Sequence, residues 1–371
     1  MGEPYADQVR RKQAVVAGVI GAELPWSEPT TGAESGFRNK AKLVVGGRRG
    51  APTLGILDGQ QRGVDLTRCG LYEPRLGDIV QRLPQLVADL ELTPYDVPAR
   101  SGELKHLLVT HSPDGEAMIR FVLRSRGQAT KIAERLDAIR ATVPEARVVS
   151  INLQPEHKAI LEGPEEIVLT EHDTLPMRVN DVVLQLRTQS FFQTNTHIAA
   201  ALYAQAREWI SQIRPETVLD LYCGVGGFAL HALGHGARRV IGVEVSGEAI
   251  RSARQSASEL TAGLAGGLGG GLAGGTTYAH DWHVGDATAF LAEAVPDLVV
   301  VNPPRRGIGA DLARRLDDHG PTHVIYSSCN VTTLARDMTT MGNYRIVDAG
   351  LFDMFPQTDH HEVMVLLART S

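Results

Sequence analysis

Apolar positions along the chain follow two rhythms. From residue 192 onward, short apolar runs alternate with longer amphipathic stretches. This rhythm predicts strands at 218–221, 240–243, 282–284, 297–301, 322–327, 344–351 and 363–368. Helices are predicted at 196–210, 228–233 and 249–260. Alternation of this kind folds as a doubly wound parallel sheet, here with an antiparallel pair at the end.

Before residue 187 the strands crowd together. Predicted strands cover 36–45, 104–110, 117–123, 148–153, 159–162 and 182–186, with a Pro113-Asp114-Gly115 turn between the second and third. Helices are expected at 5–20, 78–90 and 129–142. A linker with Pro25 and Pro29 follows the first helix. The expected organisation is an N-terminal helix and linker (1–27), a strand-rich α+β substrate domain (28–185) and an α/β domain (186–371). The glycine-rich run GLAGGLGGGLAGG at 263–275 reads as a surface insertion in a helix-to-strand connection.

In a parallel sheet, ligands sit beyond the carboxyl ends of the strands. The strand at 218–221 runs into Gly224, Gly226 and Gly227, and the next strand ends in Glu244. Glycines allow positive φ and a close approach of backbone to ligand. An acid at Glu244 can accept the two hydroxyls of a ribose. A dinucleotide site would place a pyrophosphate on a G-x-G-x-x-G turn. Here the pattern is DLYCGVGGF, with an acid four residues before the first glycine. That suits S-adenosylmethionine, which carries an amino acid and no phosphate. Asp286, also at a strand end, is a candidate acceptor for the adenine amino group, and Asn302 sits in a stiff Asn-Pro-Pro loop.

Asn-Pro-Pro also occurs in enzymes that methylate exocyclic amines, but there an aromatic residue follows. Here Arg305 follows and is expected at the RNA. Cys329 lies just past an apolar strand, between Ser328 and Asn330. A cysteine there is either a buried structural thiol or a nucleophile. A nucleophile makes sense if the acceptor is a weak carbon such as uracil C5, activated when a thiolate adds to C6. A base must then remove the C5 proton, and Glu362, before the last strand, is a candidate.

Composition adds limits. The 371 residues carry a net charge of −6, so any RNA surface must be local. Arg38, Lys40 and Lys42 alternate along a predicted strand, with Phe37 and Asn39 interleaved, and are candidates for gripping RNA phosphates. Three scattered cysteines, Cys69, Cys223 and Cys329, argue for a reducing compartment and against a disulfide framework. A polar N-terminus and no membrane-length apolar run make a cytoplasmic, monomeric protein the expectation, with no membrane partner.

The motifs GFRNKAK, GELKH, QSFFQTN, DLYCGVGGF, VNPPRRGIG, IYSSCN, LFDMFPQT and HHEV cover nearly the whole chain. On them the sequence resembles the RNA 5-methyluridine methyltransferases, and looks closest to the branch that methylates uracil-747 of 23S ribosomal RNA. The resemblance implies a Rossmann-like class I methyltransferase domain that uses S-adenosylmethionine. It also implies that Gln193, Tyr222, Glu244 and Asn302 contact the cofactor, with Asp286 a further contact, and that Cys329 and Glu362 are nucleophile and base. Family members carry three N-terminal cysteines that, with a fourth, hold an iron–sulfur cluster. Here only Cys69 matches, so the cluster is expected to be absent, either lost or removed with a truncated start. Two alternatives stay open: 5-methyluridine formation at another RNA site such as tRNA, and an RNA-binding or folding protein built on the same fold.

Overall fold

The computed structural model describes residues 2–158, 160–265, 278–291 and 296–370. Most of the glycine-rich run at 263–275 lies outside the described residues. The chain divides into two compact units, Ser35–Arg178 on one side and Met1–Glu34 with Val179–Ser371 on the other. The boundary thus falls near residue 178 rather than 185, and the N-terminal helix belongs to the second unit instead of standing apart.

The first helix, α1 (Tyr5–Ile20), spans the stretch its polarity pattern predicts. It buries Val16 in the core of the α/β unit. Lys12, 2% exposed, pairs with Asp353 at 2.6 Å and donates to the carbonyls of Phe355 and His360 at 3.2 Å. The segment after α1 runs beside the sheet edge, where Ser27 N–H donates to Ala349 and Thr30 N–H to Leu351. These bonds explain why residues 1–34 group with the C-terminal unit.

In unit Ser35–Arg178 the strands are β1 (Lys40–Arg48), β2 (Ala51–Leu57), β3 (Gly63–Asp65), β4 (Leu104–His111), β5 (Ala117–Leu123), β6 (Ala146–Leu153) and β7 (Glu165–Val168). They form one sheet in the order β3-β2-β1-β4-β5-β6-β7, parallel only between β5 and β6. Helix α2 (Pro74–Asp89) covers one face. It starts earlier than its apolar stripe suggests, because Pro74 supplies a preset first position. Leu76, Ile79, Val80, Leu83, Leu86 and Val87 repeat at helical spacing and are all buried. Each contributes roughly 1.5–3 kcal/mol by leaving water. They meet Ala41, Leu43 and Val45 of β1. The predicted helix at 129–142 is two pieces, α3 (Ala129–Ala133) and α4 (Leu136–Thr142). At the break, Arg135 donates to the carbonyl of Asp89 at 2.6 Å. No strand forms at 160–162; the edge of β6 is taken by β7 instead. The chain then runs through the hairpin β8 (Thr174–Val179) and β9 (Val182–Arg187).

The α/β unit continues with α5 (Thr196–Ile213), β10 (Thr217–Leu221), α6 (Gly227–Ala232), β11 (Arg239–Glu244), α7 (Gly247–Ala265) and β12 (Ala279–Val284). After them come α8 (Ala287–Phe290), β13 (Leu298–Val301), α9 (Gly309–His319), β14 (His323–Ser328), α10 (Val331–Met338), β15 (Tyr344–Phe352) and β16 (Glu362–Arg369). The sheet order is β12-β11-β10-β13-β14-β16-β15. Strands β10 to β14 are parallel, and β16 runs antiparallel to both β14 and β15. The order reverses between β10 and β13. Parallel sheets of this kind bind ligands at such a switch point. The α/β and α+β architectures are those the sequence pattern predicts. Among the described residues, no helix is long and apolar enough to cross a membrane.

Candidate active site

Glu244, Asp286, Asn302 and Cys329 all follow or end parallel strands, on the carboxyl side of the sheet. Beyond β10 the chain turns sharply. Tyr222 takes a left-handed backbone conformation, φ 62°, which a residue with a large side chain adopts only under constraint. Gly224 follows at φ 53°. A methyl group there would meet nothing within 4 Å, so the backbone lies open to a ligand. Gly226 and Gly227 serve packing instead. A Cβ on Gly226 would stand 2.7 Å from Trp282, and one on Gly227 2.4 Å from the Tyr203 hydroxyl.

Gln193, Tyr222, Gly224 and Asn302 line one pocket together with Phe192, Phe228 and Tyr203. Gly226 lies behind its wall. Glu244 closes the turn: its Oε2 accepts from Gly224 N–H at 3.3 Å and its Oε1 from Ser246 N–H at 3.0 Å. Each oxygen keeps a lone-pair site, so the carboxylate can still accept two hydroxyls. Asp286 is exposed and caps α8, accepting from Thr288 at 2.9 Å and Ala289 at 3.2 Å through one oxygen. Its other oxygen is not engaged by those bonds. Beneath the turn, Asp220 is fully buried and accepts from Ala229 N–H at 3.0 Å. Burial pushes its carboxyl up to about 8. An open glycine backbone beside an acid with spare acceptor sites fits an adenosine group with a ribose diol.

The second part of the site is made by the pairing of β14 with β16. Ser327 faces Met364 and Ser328 faces Val363 in this register. The chain leaves β14 at Ser328, so Cys329 lies in the bend just beyond the strand, while Glu362 opens β16. The Glu362 carboxylate nonetheless lies close enough to the Cys329 thiol to act on it by its charge. Ser327 Oγ donates to Glu362 Oε1 at 2.7 Å. Glu362 is 4% exposed, and burial pushes its carboxyl from 4.5 up to about 7, against the opposing hydrogen bond from Ser327. The Cys329 thiol is also raised, by burial and then by the negative charge of Glu362, while a hydrogen bond and charge from Arg305 act the other way. Arg305 itself reaches His360 Nδ1 at 3.1 Å, and its carbonyl accepts from Asn330 at 3.3 Å and Thr333 at 3.2 Å. The arginine expected at the RNA thus also stands beside the cysteine.

Sequence reasoning missed Ser327, whose partner lies 35 residues away, and Lys12, which ties α1 to the segment that leads into Glu362. Neither position carries a local signal; only strand pairing and helix docking reveal them.

In the other unit, Lys40 and Lys42 lie on β1, with Lys42 exposed. Burial, then the charges of Lys42 and Arg120, lower the Lys40 amine to about 8. Phe37 departs from expectation: it is 7% exposed, so its ring is not on the surface. Arg38 precedes β1, and its backbone pairs with 71–73. Cys69 is a free thiol. Among the described residues no group of three or more His, Cys, Asp or Glu side chains is arranged to hold a metal ion.

Comparison with known proteins places these features in a family. The family model for tRNA (uracil-5-)-methyltransferase matches residues 155–262 and 290–370. The chain is 44% identical, over 100% of its own length and 95% of the relative's, to the 23S rRNA (uracil(747)-C(5))-methyltransferase of Halothiobacillus neapolitanus. It is also 44% identical to the protein of that description in Yersinia pseudotuberculosis, over 99% of this chain and 95% of the relative. In fold it resembles the Pyrococcus abyssi tRNA (uracil-54, C5)-methyltransferase, solved in complex with S-adenosyl-L-homocysteine. That match has a TM-score of 0.79 at 22% identity, over 98% of this chain and 84% of the other. With the model match spanning half of the chain and relatives matched end to end, this chain belongs to the tRNA (uracil-5-)-methyltransferase family.

Proposed function

We propose that this protein methylates C5 of a uridine in RNA, using S-adenosylmethionine, and that its target is a 23S ribosomal RNA site of the uracil-747 type. Full-length relatives at 44% identity support the choice of RNA. The observation that carries the chemistry is the β14/β16 pairing, which sets Glu362 against Ser327, with Cys329 just past the end of β14 and within reach of the charges of Glu362 and Arg305. Gln193, Tyr222, Gly224, Glu244 and Asn302 would hold the cofactor, with Asp286 as a further contact and Gly226 shaping the turn. The bound cofactor supplies a methyl group on a sulfonium.

The residues then divide the work. Cys329 loses its proton to a base, and Arg305 favours the thiolate by its charge. The sulfur adds to C6 of the uracil, and the electron pair of the C5=C6 bond moves onto the O4 carbonyl as an enolate. C5 becomes nucleophilic and takes the methyl group as the bond between that group and the donor sulfur breaks, leaving a neutral thioether. Glu362 takes the C5 proton; the electrons left behind reform C5=C6 and expel the sulfur. The uridine has exchanged one hydrogen for one methyl group, and the enzyme is restored once Glu362 passes that proton to solvent. This geometry requires the base to leave its stack.

The test uses RNA with 5-fluorouridine at the target position. The parent enzyme should stay covalently bound and run as a denaturant-resistant shifted band, because fluorine cannot leave as a cation. Cys329→Ala should give no such band and no product. Glu362→Gln should trap ordinary uridine RNA after methylation. An adduct or turnover with Cys329→Ala would refute the mechanism, and mass mapping that finds the methyl group elsewhere would refute the target.

A further inference from the structure

We propose that the Ser35–Arg178 unit contains a second base-binding pocket, which receives one unstacked nucleobase of the RNA other than the uridine that is methylated. It rests on the RNA substrate proposed above. On β1 the core-facing residues are Ala41, Leu43 and Val45. Lys40, Lys42 and Val44 therefore point to the opposite face. Val44 pairs with His106 of β4, and both line a cavity of about 380 Å³. That size falls in the range of roughly 300–1,000 Å³ typical of small-molecule sites.

The cavity is held open by built contacts. Asn152 clamps Gly163, donating to its carbonyl at 3.0 Å and accepting from its N–H at 2.7 Å. Lys105 donates to the carbonyl of Glu156 at 2.6 Å and sits 4.8 Å from the centre of the Tyr95 ring. The Tyr95 hydroxyl meets His157 Nδ1 at 2.9 Å. Ile160, 40% exposed, lines the same space.

The lining matches a base. Val44, Ile160 and Tyr95 offer apolar and aromatic surface for a flat ring. His106 Nδ1 is buried without a hydrogen-bond partner. Burial holds that imidazole neutral, with its pKa lowered to about 4, so it presents one donor and one acceptor. Lys42 is exposed two residues from Val44, on the same strand face, where a phosphate would continue the chain from the pocket. An RNA base fills the apolar and aromatic space and places backbone charge at Lys42, which an apolar ligand would leave unused.

The experiment is a coupling measurement on RNA binding. A target-site RNA is made with a single abasic nucleotide at each position in turn, and affinities are measured for the parent, His106→Leu and Ile160→Ser. Base stacking is worth about 1–3 kcal/mol per base. One position other than the target uridine should therefore lose on the order of tenfold or more in affinity to the parent when abasic. That loss should vanish in both variants, while the loss at the target position stays. Ile160 is partly exposed, so its replacement tests the pocket even if His106→Leu folds poorly. An abasic loss that persists in Ile160→Ser, or the absence of any sensitive position beyond the target, overturns the proposal. Saturable binding of adenosine or uridine monophosphate alone, abolished by both variants and without RNA coupling, overturns it too, because the occupant is then a free nucleotide. The assay needs no methyl transfer. Failure of the uridine-methylation reading shows instead as no 5-methyluridine from the parent.

Discussion

Replacing Glu362 with glutamine should stabilise the protein, and by an amount that depends on pH. Glu362 is buried, and Ser327 supplies its recorded side-chain hydrogen bond. Its carboxyl is pushed from 4.5 in the unfolded chain to about 7 in the folded one. Between those values the folded state holds a proton that the unfolded state releases, so stability falls as pH rises. Above about 7 the penalty is complete, and the gap amounts to about 3 kcal/mol. Glutamine has the same shape, keeps an oxygen for Ser327 and cannot ionise. The two proteins should therefore match near pH 4.5 and diverge steadily, with Glu362→Gln ahead by about 3 kcal/mol at pH 8. All three tryptophans, Trp26, Trp209 and Trp282, lie in the unit that holds Glu362, so fluorescence during urea unfolding reports the right part of the molecule. The same substitution removes the negative charge that raises Cys329, and the thiol should be alkylated by iodoacetamide at lower pH. A stability difference that does not change with pH, or a variant weaker than the parent at pH 8, would refute the reasoning. A group that costs stability where it is ionised is the usual mark of a residue kept for chemistry.

Other outcomes follow from named contacts. Glu244→Ala should weaken S-adenosylmethionine binding by tenfold or more in calorimetry, since two hydrogen bonds to a carboxylate are worth roughly 1.5–3 kcal/mol each. Lys12→Met leaves Asp353 buried and uncompensated, at a cost of about 3–5 kcal/mol in urea unfolding, and adding Asp353→Leu should recover most of it. Replacing Arg38, Lys40 and Lys42 together should flatten the salt dependence of RNA binding by about 0.7–0.9 per lost phosphate contact. Because the Lys40 amine is lowered to about 8, its share of that slope should fade between pH 7 and pH 9 in the parent.

Most strands of the parallel sheet were legible as short apolar runs with a polar residue at or just past the end, whereas β12, AHDWHV, is largely polar. Glu244, Asp286, Asn302 and Cys329 mark those ends in the sequence alone. The first unit was less legible. Ile160 and Leu161 read as a strand, but they line a cavity and do not join the sheet, and apolar character cannot tell the two apart. Phe37 was grouped with the basic residues only because it lies between them; neighbours along an extended chain face opposite ways, and backbone bonds to 70, 71 and 73 hold 36–38 before β1 begins at Lys40. Ser327 is one of two adjacent serines, and nothing local distinguishes it from Ser328. Its role comes from a pairing between strands far apart in the chain. Lys12 is silent for the same reason: a lysine on a helix reads as solvent-facing until its buried partner is known.

The position of β16 between β14 and β15 has a consequence for how the enzyme is made. The strands around the glycine turn, β10, β11 and β13, precede β14, β15 and β16 in the chain and pair with one another without them. Strand β16 follows the other strands of this sheet in the chain, yet it is an insert and not an edge. Until β16 emerges, β14 has an open side and Cys329 has no carboxylate beside it. A nascent or C-terminally truncated chain should therefore be able to hold the cofactor before it can attack RNA. A chain ending before Glu362 that binds S-adenosylmethionine yet fails to trap 5-fluorouridine RNA would fit this order, whereas one that binds neither would show that the sheet closes only as a whole. In that order of assembly, the half of the sheet that would hold the methyl donor is made before the half that would act on the RNA.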